Sequence, residues 1–440
     1  LGGDLDTVFE RHEALVRRRR PGEVAPAEIL RSARNAATVP FDEALRLERA
    51  GVATCLASPQ SGAMRHLFFA ERAARKSPEG APRVRDAEIG LVGIAGSGPL
   101  ARGLAQLLAA RSIDVLLWDE SPERADETVA AIEAHQRKTS ASAAPGSMRS
   151  PAGRIGAVRD AGELAGAGLV IEATPEDFET KVRVLGRLGE AVKSPLATTT
   201  PYFSIADLAA AAGRPLDLCG LHFFLPVHAM PLVEVIGAPT TATAVLASAM
   251  RFCSRIGKSP VLVGDCDGFA GDRGLRAYLD EAIGLLVDGV PAAEIDAALE
   301  AFGMALGPFA LCGMIGEDMA LRILRGRAAK PYDPGRAAHL RRVLGSAGRP
   351  GGPAVNGSEP GASANMNREA VIRRCLSRVV NESLLILEEK VVRDVADIDV
   401  VWANGLGFPR YRGGPMWWAD SIGGEALLRE IRESMARTGS

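Results

Sequence analysis

The 440-residue chain places a histidine, His222, at the end of an apolar run (residues 218–224), and a carboxylate, Glu234, twelve residues later. An imidazole steered by a carboxylate can take a proton from a hydroxyl as a general base. A histidine ending an apolar strand is as readily a packed edge residue, and the spacing leaves both readings open. Upstream, Gly96-Ser97-Gly98-Pro99-Leu100-Ala101 follows an apolar run and opens a helical stretch. Two glycines there permit a tight turn and let backbone N–H groups approach a pyrophosphate at a helix N-terminus. Ala101 still allows close helix–strand packing, and Pro99 is tolerated in a first helical turn. Asp119 lies 23 residues after Gly96, at the end of the second strand-like run. A carboxylate there can accept both ribose hydroxyls and repels a 2′-phosphate, which favours NAD over NADP. A glycine-rich surface turn with a solvated aspartate is the plainer alternative; the strand–turn–helix–strand context favours the dinucleotide.

These residues must be carried by alternating strands and helices. Near-continuous apolar runs at 88–94, 113–119 and 168–174, with further strand-like runs at 196–200, 218–224 and 260–265, predict a doubly wound α/β domain over 86–266. Its strands are expected to be parallel, joined by right-handed crossovers. Residues 139–153 are small and polar and read as a loop. Residues 1–85 are helical in pattern. Between 40 and 76, Leu45, Leu47, Val52, Leu56, Met64, Leu67 and Phe68 form one expected buried stripe, and 77–86 reads as a linker. Beyond Asp267 helical periodicity runs to the C-terminus, divided by a Gly/Pro/Ser/Ala-rich linker at 345–367. The flanking parts, 267–344 and 368–440, share an ordered series. Glu281, Val290, Asp296, Phe302-Gly303 and Gly307-Pro308 match Glu382, Val392, Asp399, Leu406-Gly407 and Gly414-Pro415, which reads as a duplicated helical unit.

Composition narrows the classes further. The net charge of −2, from 52 Lys+Arg and 54 Asp+Glu, excludes an overall cationic nucleic-acid-binding surface. The 48 glycines and 27 prolines follow no period, which excludes a collagen-like chain. No uninterrupted apolar run approaches the roughly 18 residues of a membrane span. The N-terminal stretch lacks a signal-peptide core, and the last residues form neither a prenylation box nor a peroxisomal tripeptide. Six scattered cysteines show no CxxC pair and no His/Cys ligand spacing, so no disulfide framework or metal site is expected and a cytoplasmic setting fits. The chain begins with Leu1 rather than Met and reads as the rear part of a longer polypeptide. Arg17–Arg20 read as a solvated helix end, His228 as a rim residue, and Trp402, Trp417, Trp418 and Tyr411 as core or interface packing.

The segment from Gly220 to Val235, GLHFFLPVHAMPLVEV, resembles the signature of the 3-hydroxyacyl-CoA dehydrogenase family, in which GLHFFNP…LVEV is typical. The resemblance runs from about residue 87 to 425 and takes in the glycine turn, LVIEATPEDFETK, GDCDGFAGDRG, FGMALGPFAL and NGLGFPRYRGGPMWWAD. It implies a Rossmann-type NAD-binding domain followed by an all-α, duplicated region like that of 6-phosphogluconate dehydrogenase, behind a helical N-terminal extension. Residues 1–85 are similar to the trailing helices of the enoyl-CoA hydratase domain that precedes this module in multifunctional β-oxidation enzymes. The implied activity is NAD-dependent interconversion of 3-hydroxyacyl-CoA and 3-oxoacyl-CoA, by a monomer or dimer, fused to or associated with a hydratase. His222 is implied to be the base and Glu234 its orienting partner. Gly96, Gly98, Leu100, Ala101, Asp119, Glu176 and Lys181 fall at cofactor positions; without the family, Glu176 and Lys181 read as a charge pair on a solvated helix face.

Three positions depart from the family pattern. Its Asn-Thr-Ser-Ser stretch is Thr199-Thr200-Pro201-Tyr202 here, so a serine facing the substrate's 3-oxygen becomes Pro201. An asparagine near the nicotinamide becomes Leu225, and a substrate-facing asparagine becomes Asp272. An amide can donate a hydrogen bond, whereas an ionised carboxylate only accepts. These losses keep two alternatives in view, a catalytically impaired NAD- or acyl-CoA-binding module and a tailoring reductase acting on another acyl thioester.

Overall fold

A computed structural model describes residues 5–81, 89–141, 153–327, 332–346 and 366–438. Among the described residues eight strands form one sheet: β1 (Leu91–Ala95), β2 (Asp114–Trp118), β3 (Ile155–Ala157), β4 (Leu169–Glu172), β5 (Leu196–Thr198), β6 (Leu218–Phe223), β7 (Leu232–Gly237) and β8 (Ser259–Gly264). Their spatial order is β3-β2-β1-β4-β5-β6-β7-β8. Alternate residues along each strand enter separate cores. Val92, Ile94, Leu169, Ile171, Leu221 and Val235 face the helices Pro99–Ala109 and Thr243–Arg255, while Val170, Leu196, Leu218 and Ile236 face Phe178–Ala191 and Ile205–Ala211. Burial on both faces is why these strands read as unbroken apolar runs.

The expected all-parallel sheet needs one correction. β1 to β6 are parallel, but β7 pairs antiparallel to β6, and β8 then runs parallel to β7. Only residues 224–231 join β6 to β7, short of the dozen or so that a parallel crossover needs. β3 and β7 were also not anticipated. β3 is a three-residue edge strand that is only half-buried, too short for an alternating pattern. Part of the loop expected at 139–153 lies outside the described residues, as does most of the linker at 345–367.

The N-terminal stripe is corrected too. Ser58-Pro59 ends the helix Phe41–Ala57 and starts the helix Pro59–Ala74, which resets the helical phase. Of the expected stripe only Leu67 is fully buried; Val52, Leu56, Met64 and Phe68 are exposed. Ala63, Ala70 and Ala74 are buried with Leu67, on the helix that packs against Val395–Gly405.

The helical region is organised around the crossing of Gly271–Val287 with Arg368–Glu388. Arg273 donates to Glu382 (2.5 Å) and Glu389 (2.5 and 2.8 Å), and Arg374 donates to Glu281 (2.6 Å) and Asp288 (2.7 Å). Each arginine stands eight residues before the glutamate of its own unit and pairs with the glutamate of the other. The two units thus meet through a self-complementary surface, as the halves of a twofold dimer do. A second equivalence lies in the aspartates. Asp296 accepts from the N–H groups of Phe309 and Ala310, and Asp399 from those of Met416 and Trp417, each closing the N-terminus of the following helix.

Arg374 and Glu281 are both buried. Arg374→Ala would leave an uncompensated buried carboxylate, so a loss of about 3–5 kcal/mol is expected. Thermal and denaturant unfolding of the variant check it; a shift below about 1 kcal/mol would show the pair to be dispensable.

Candidate active site

In β6 and β7, His222 and Glu234 are directly opposed residues of the antiparallel ladder, so their side chains share one face of the sheet. Leu221, Phe223, Val233 and Val235 point into the opposite core, which leaves His222 and Glu234 facing the helical region. His222 Nδ1 donates to Glu234 Oε2 at 2.7 Å. That bond leaves Nε2 as the nitrogen that can accept a proton. The other carboxylate oxygen, Oε1, accepts from the N–H groups of Ala270 (3.1 Å) and Gly271 (2.9 Å) at the start of Gly271–Val287. Glu234 therefore joins the sheet, the imidazole and the helical region. A Cβ at Gly271 would lie 2.8 Å from the Phe224 ring and 3.3 Å from Glu234, so a larger residue there would displace the Phe224 ring. Phe224 and Phe269 flank the imidazole, with ring centroids 4.6 and 6.0 Å away.

Burial alone would lower the His222 pKa. The hydrogen bond to Glu234 and the charges of Asp272, Glu234 and Glu176 outweigh it and raise the value above the ordinary 6.5. Asp272, in the first turn of Gly271–Val287, is pushed up to about 6, first by burial and then by Glu234 and Asp267, against the opposing charges of His222 and Arg276.

The glycine turn follows β1. Gly96 has φ +120° and donates to Trp118 O at 2.8 Å, and a Cβ there would lie 2.5 Å from Ala173 O. A Cβ added at Gly98 would meet nothing within 4 Å, so the N-terminus of Pro99–Ala109 opens onto free space of the kind a pyrophosphate fills. Ala101 is fully buried against the sheet and Leu100 half-buried at its rim. Gly96→Ala combines forbidden backbone with a clash, and a roughly ten- to hundredfold weaker NADH affinity is expected, measured by fluorescence titration. Unchanged affinity would remove the turn from the cofactor site.

Asp119 directly follows β2. Its carboxylate accepts from Ser97 Oγ (2.6 Å), Ser121 N (2.9 Å) and Arg124 (2.7 and 3.2 Å). Burial works to raise its pKa, but these bonds prevail and hold it below the usual carboxylate range. Arg124 offsets part of the charge that would repel a 2′-phosphate.

Lys181 requires a correction. It lies neither on a solvated face nor open to the cleft. It is fully buried, and its ammonium donates to both oxygens of Glu172 (3.0 Å each), with Thr174 O at 3.4 Å and Glu176 Oε2 also at 3.4 Å. Thr198 Oγ1 donates to Glu172 as well (2.6 Å). Of the expected Glu176–Lys181 pair only Glu176 reaches the surface, where Thr200 Oγ1 donates to it. Glu172 is the group that sequence reasoning missed. Its signal was a carboxylate ending an otherwise apolar strand, which needs a buried counter-charge.

Pro201 and Tyr202 follow β5. The Tyr202 hydroxyl donates to Gly326 O and accepts from Arg325 (3.0 Å), while Arg327 donates to Tyr202 O (2.7 Å), Phe203 O (3.0 Å) and Asp265 (2.9 Å). This clasp between the β5 loop and the helical region was not foreseen. Leu225 is exposed, as is His228. Trp402 and Trp418 are buried, and Trp417 stacks on His66 at 4.7 Å.

A largely parallel sheet with a glycine turn after β1, and a carboxylate-held histidine at the carboxyl end of β6 facing a helical region, defines the class of two-part dinucleotide-binding proteins. The particular family follows from comparison with known proteins. Residues 91–266 match the 3-hydroxyacyl-CoA dehydrogenase NAD binding domain, and residues 268–358 and 371–440 match the 3-hydroxyacyl-CoA dehydrogenase C-terminal domain. The chain belongs to the 3-hydroxyacyl-CoA dehydrogenase family, and its cofactor is NAD. It is 31% identical to a peroxisomal bifunctional enzyme of Danio rerio over 97% of this chain and 65% of that protein. It is 30% identical to a peroxisomal bifunctional enzyme of Homo sapiens, over 98% and 66%. The chain thus spans just under two thirds of the length of these relatives. Among solved structures, an Escherichia coli 3-hydroxybutyryl-CoA dehydrogenase shares the fold, with a TM-score of 0.66 and 24% identity over 80% of this chain and 96% of that one. A Ralstonia eutropha (S)-3-hydroxybutyryl-CoA dehydrogenase gives 0.51 and 28%, over 59% and 94%.

Proposed function

We propose that this chain is an NAD-dependent 3-hydroxyacyl-CoA dehydrogenase of fatty-acid β-oxidation, interconverting 3-hydroxyacyl-CoA and 3-oxoacyl-CoA. The observation that carries the reading is the 2.7 Å contact between His222 Nδ1 and Glu234, at the carboxyl end of β6. Bound NAD supplies the hydride acceptor. In the oxidation, His222 Nε2 takes the proton of the 3-hydroxyl as hydride leaves C3. Glu234 holds the ring in the tautomer that can accept and stabilises the imidazolium that results. Gly96 and Gly98 would receive the pyrophosphate, with Ala101 and Leu100 packed beneath the turn, and Asp119 would accept from the ribose. Glu176, held by Lys181, would stand toward the nicotinamide.

The acyl-CoA thioester is the substrate, and the N-terminal helices fit a module fused to or associated with an enoyl-CoA hydratase; the relatives' name, a bifunctional enzyme, fits a second activity in the same polypeptide. Contact between the two helical units within one chain favours a monomer or a loose dimer. Six free cysteines, four of them buried, fit a reducing compartment such as the cytoplasm. NADH consumption with acetoacetyl-CoA tests the activity. Absence of turnover despite measured NADH binding would reduce the chain to a binding module.

The pH dependence follows from the site. Oxidation needs a neutral imidazole, so its rate should rise with pH through a limb above 6.5, while reduction, which needs the imidazolium, should fall through the same limb. Rates of both directions against pH check this, and an oxidation limb at or below 6.5 would contradict it.

A further inference from the structure

The carboxylate placed to accept the adenine ribose is already crowded. Asp119 Oδ1 accepts from Ser121 N (2.9 Å) and from Arg124 Nε (3.2 Å) and Nη2 (2.7 Å), and Oδ2 accepts from Ser97 Oγ (2.6 Å). A carboxylate offers about four lone-pair sites, so Oδ1 is filled and Oδ2 has room for a single further donor. It can take one ribose hydroxyl without displacing a bond, but not both. Ser97 lies between the two glycines of the turn, so these donors stand directly beside the cofactor turn. Arg124 is the unusual member. Its side chain is 59% exposed, and it gives only Nε and one Nη2 hydrogen to Asp119. Among the described residues its guanidinium has no other partner, which leaves Nη1 and the second Nη2 hydrogen free.

In dinucleotide folds of this kind a carboxylate after the second strand serves a free ribose 2′-hydroxyl, whereas an arginine nearby serves a 2′-phosphate. This chain holds both, in contact. The pair is neutral as a unit, so a 2′-phosphate meets free guanidinium donors instead of a bare negative charge. Two neighbouring carboxylates have arginines of their own: Arg183 donates to Glu120 (2.9 and 2.8 Å) and Arg159 to Asp126 (2.7 Å). Glu123 and Glu127, on the same helix as Arg124, have no arginine partner among the described residues and oppose a phosphate. We infer that the ribose end of this site is also a phosphate subsite anchored by Arg124, and that the chain binds NADPH as well as NADH, with a shallow preference for NADH. Asp119, Glu123 and Glu127 keep NADH ahead, and Arg124 limits its lead. The inference rests on the cofactor reading that places Asp119 at the ribose.

Fluorescence titration of the full chain with NADH and with NADPH tests it, on wild type, Arg124→Ala and Asp119→Ser. Binding alone is read, so the outcome is independent of turnover. Wild type is expected to favour NADH by at most about 100-fold in affinity. Arg124→Ala removes the free donors and uncovers the charge of Asp119, so that ratio should widen by about 10- to 100-fold. Asp119→Ser releases Ser97 Oγ, Ser121 N–H and the whole guanidinium to a phosphate, and the preference should turn toward NADPH. A wild-type ratio beyond about 100-fold, or a ratio that Arg124→Ala does not widen, overturns the inference. If Asp119→Ser also alters the affinity for neither nucleotide, the placement of Asp119 at the ribose falls with it. If Asp119→Ser changes NADH affinity while Arg124→Ala leaves the ratio in place, the ribose contact stands and the phosphate subsite alone is refuted.

Discussion

His222→Ala is expected to lower kcat in both directions by about 10²–10⁴-fold while NADH affinity stays within about threefold of wild type. The size follows from what is removed. Nε2 is the acceptor in the oxidation and, as the imidazolium, the donor in the reduction, so one substitution takes away proton transfer in both directions. The glycine turn, Asp119 and Glu176 are untouched, which is why cofactor affinity should hold. Removing the ring also opens space between Phe224 and Phe269 and leaves Glu234 Oε2 without its partner. Some loss of stability will accompany the loss of rate, and a thermal melt separates the two. His222→Gln, which fills more of the space and cannot shuttle a proton, should melt closer to wild type and remain as slow as the alanine variant. A His222→Gln enzyme turning over within about tenfold of wild type would remove His222 from the proton path.

The parts of the site that were legible in the sequence are those whose chemistry is local. Gly96 and Gly98 sit in a turn fixed by the strand before and the helix after, so type and spacing sufficed. The His222–Glu234 pair also follows local geometry, since twelve residues spanning a short connection between two strands is a hairpin-like register. What stayed open was whether the two side chains meet, because β7, the strand that carries Glu234, was not anticipated. Lys181 was misplaced for a different reason. Its nearest acidic neighbours in sequence lie on the helix and the loop before it, whereas its principal partner, Glu172, ends the preceding strand and is reached only once the loop folds back. The Tyr202 clasp was beyond sequence reading, because Tyr202 and Arg325 are 123 residues apart and neither type of residue demands the other. The N-terminal stripe failed because these helices bury small residues rather than the large apolar ones: Phe41–Ala57 buries only Ala44 and Gly51, and Pro59–Ala74 buries Ala63, Ala70 and Ala74 beside Leu67.

Glu234→Gln should be nearly as damaging as loss of the histidine, and it separates the two tasks of this residue. The amide carbonyl can still accept from the N–H groups of Ala270 and Gly271, so the junction between sheet and helical region is kept. Its NH2 group then faces His222 Nδ1 and can only donate there. To accept that bond the neutral ring must carry its proton on Nε2, the nitrogen that has to receive the substrate's proton. In a serine-protease triad the matching aspartate-to-asparagine change costs about 10⁴-fold in kcat through the same tautomer error, and a loss of about 10³–10⁴-fold is expected here. The change also removes a negative charge beside the ring, so the His222 pKa should fall from its raised value and the oxidation limb should move to lower pH. Glu234→Ala loses both tasks: the N–H groups of Ala270 and Gly271 become unpaired inside the protein, adding about 1–3 kcal/mol of destabilisation that Glu234→Gln lacks. The decisive comparison is kcat against melting temperature for the two variants. Equal damage to both quantities in Glu234→Gln and Glu234→Ala would mean that Glu234 serves the fold alone, and that the imidazole needs no carboxylate to select its tautomer.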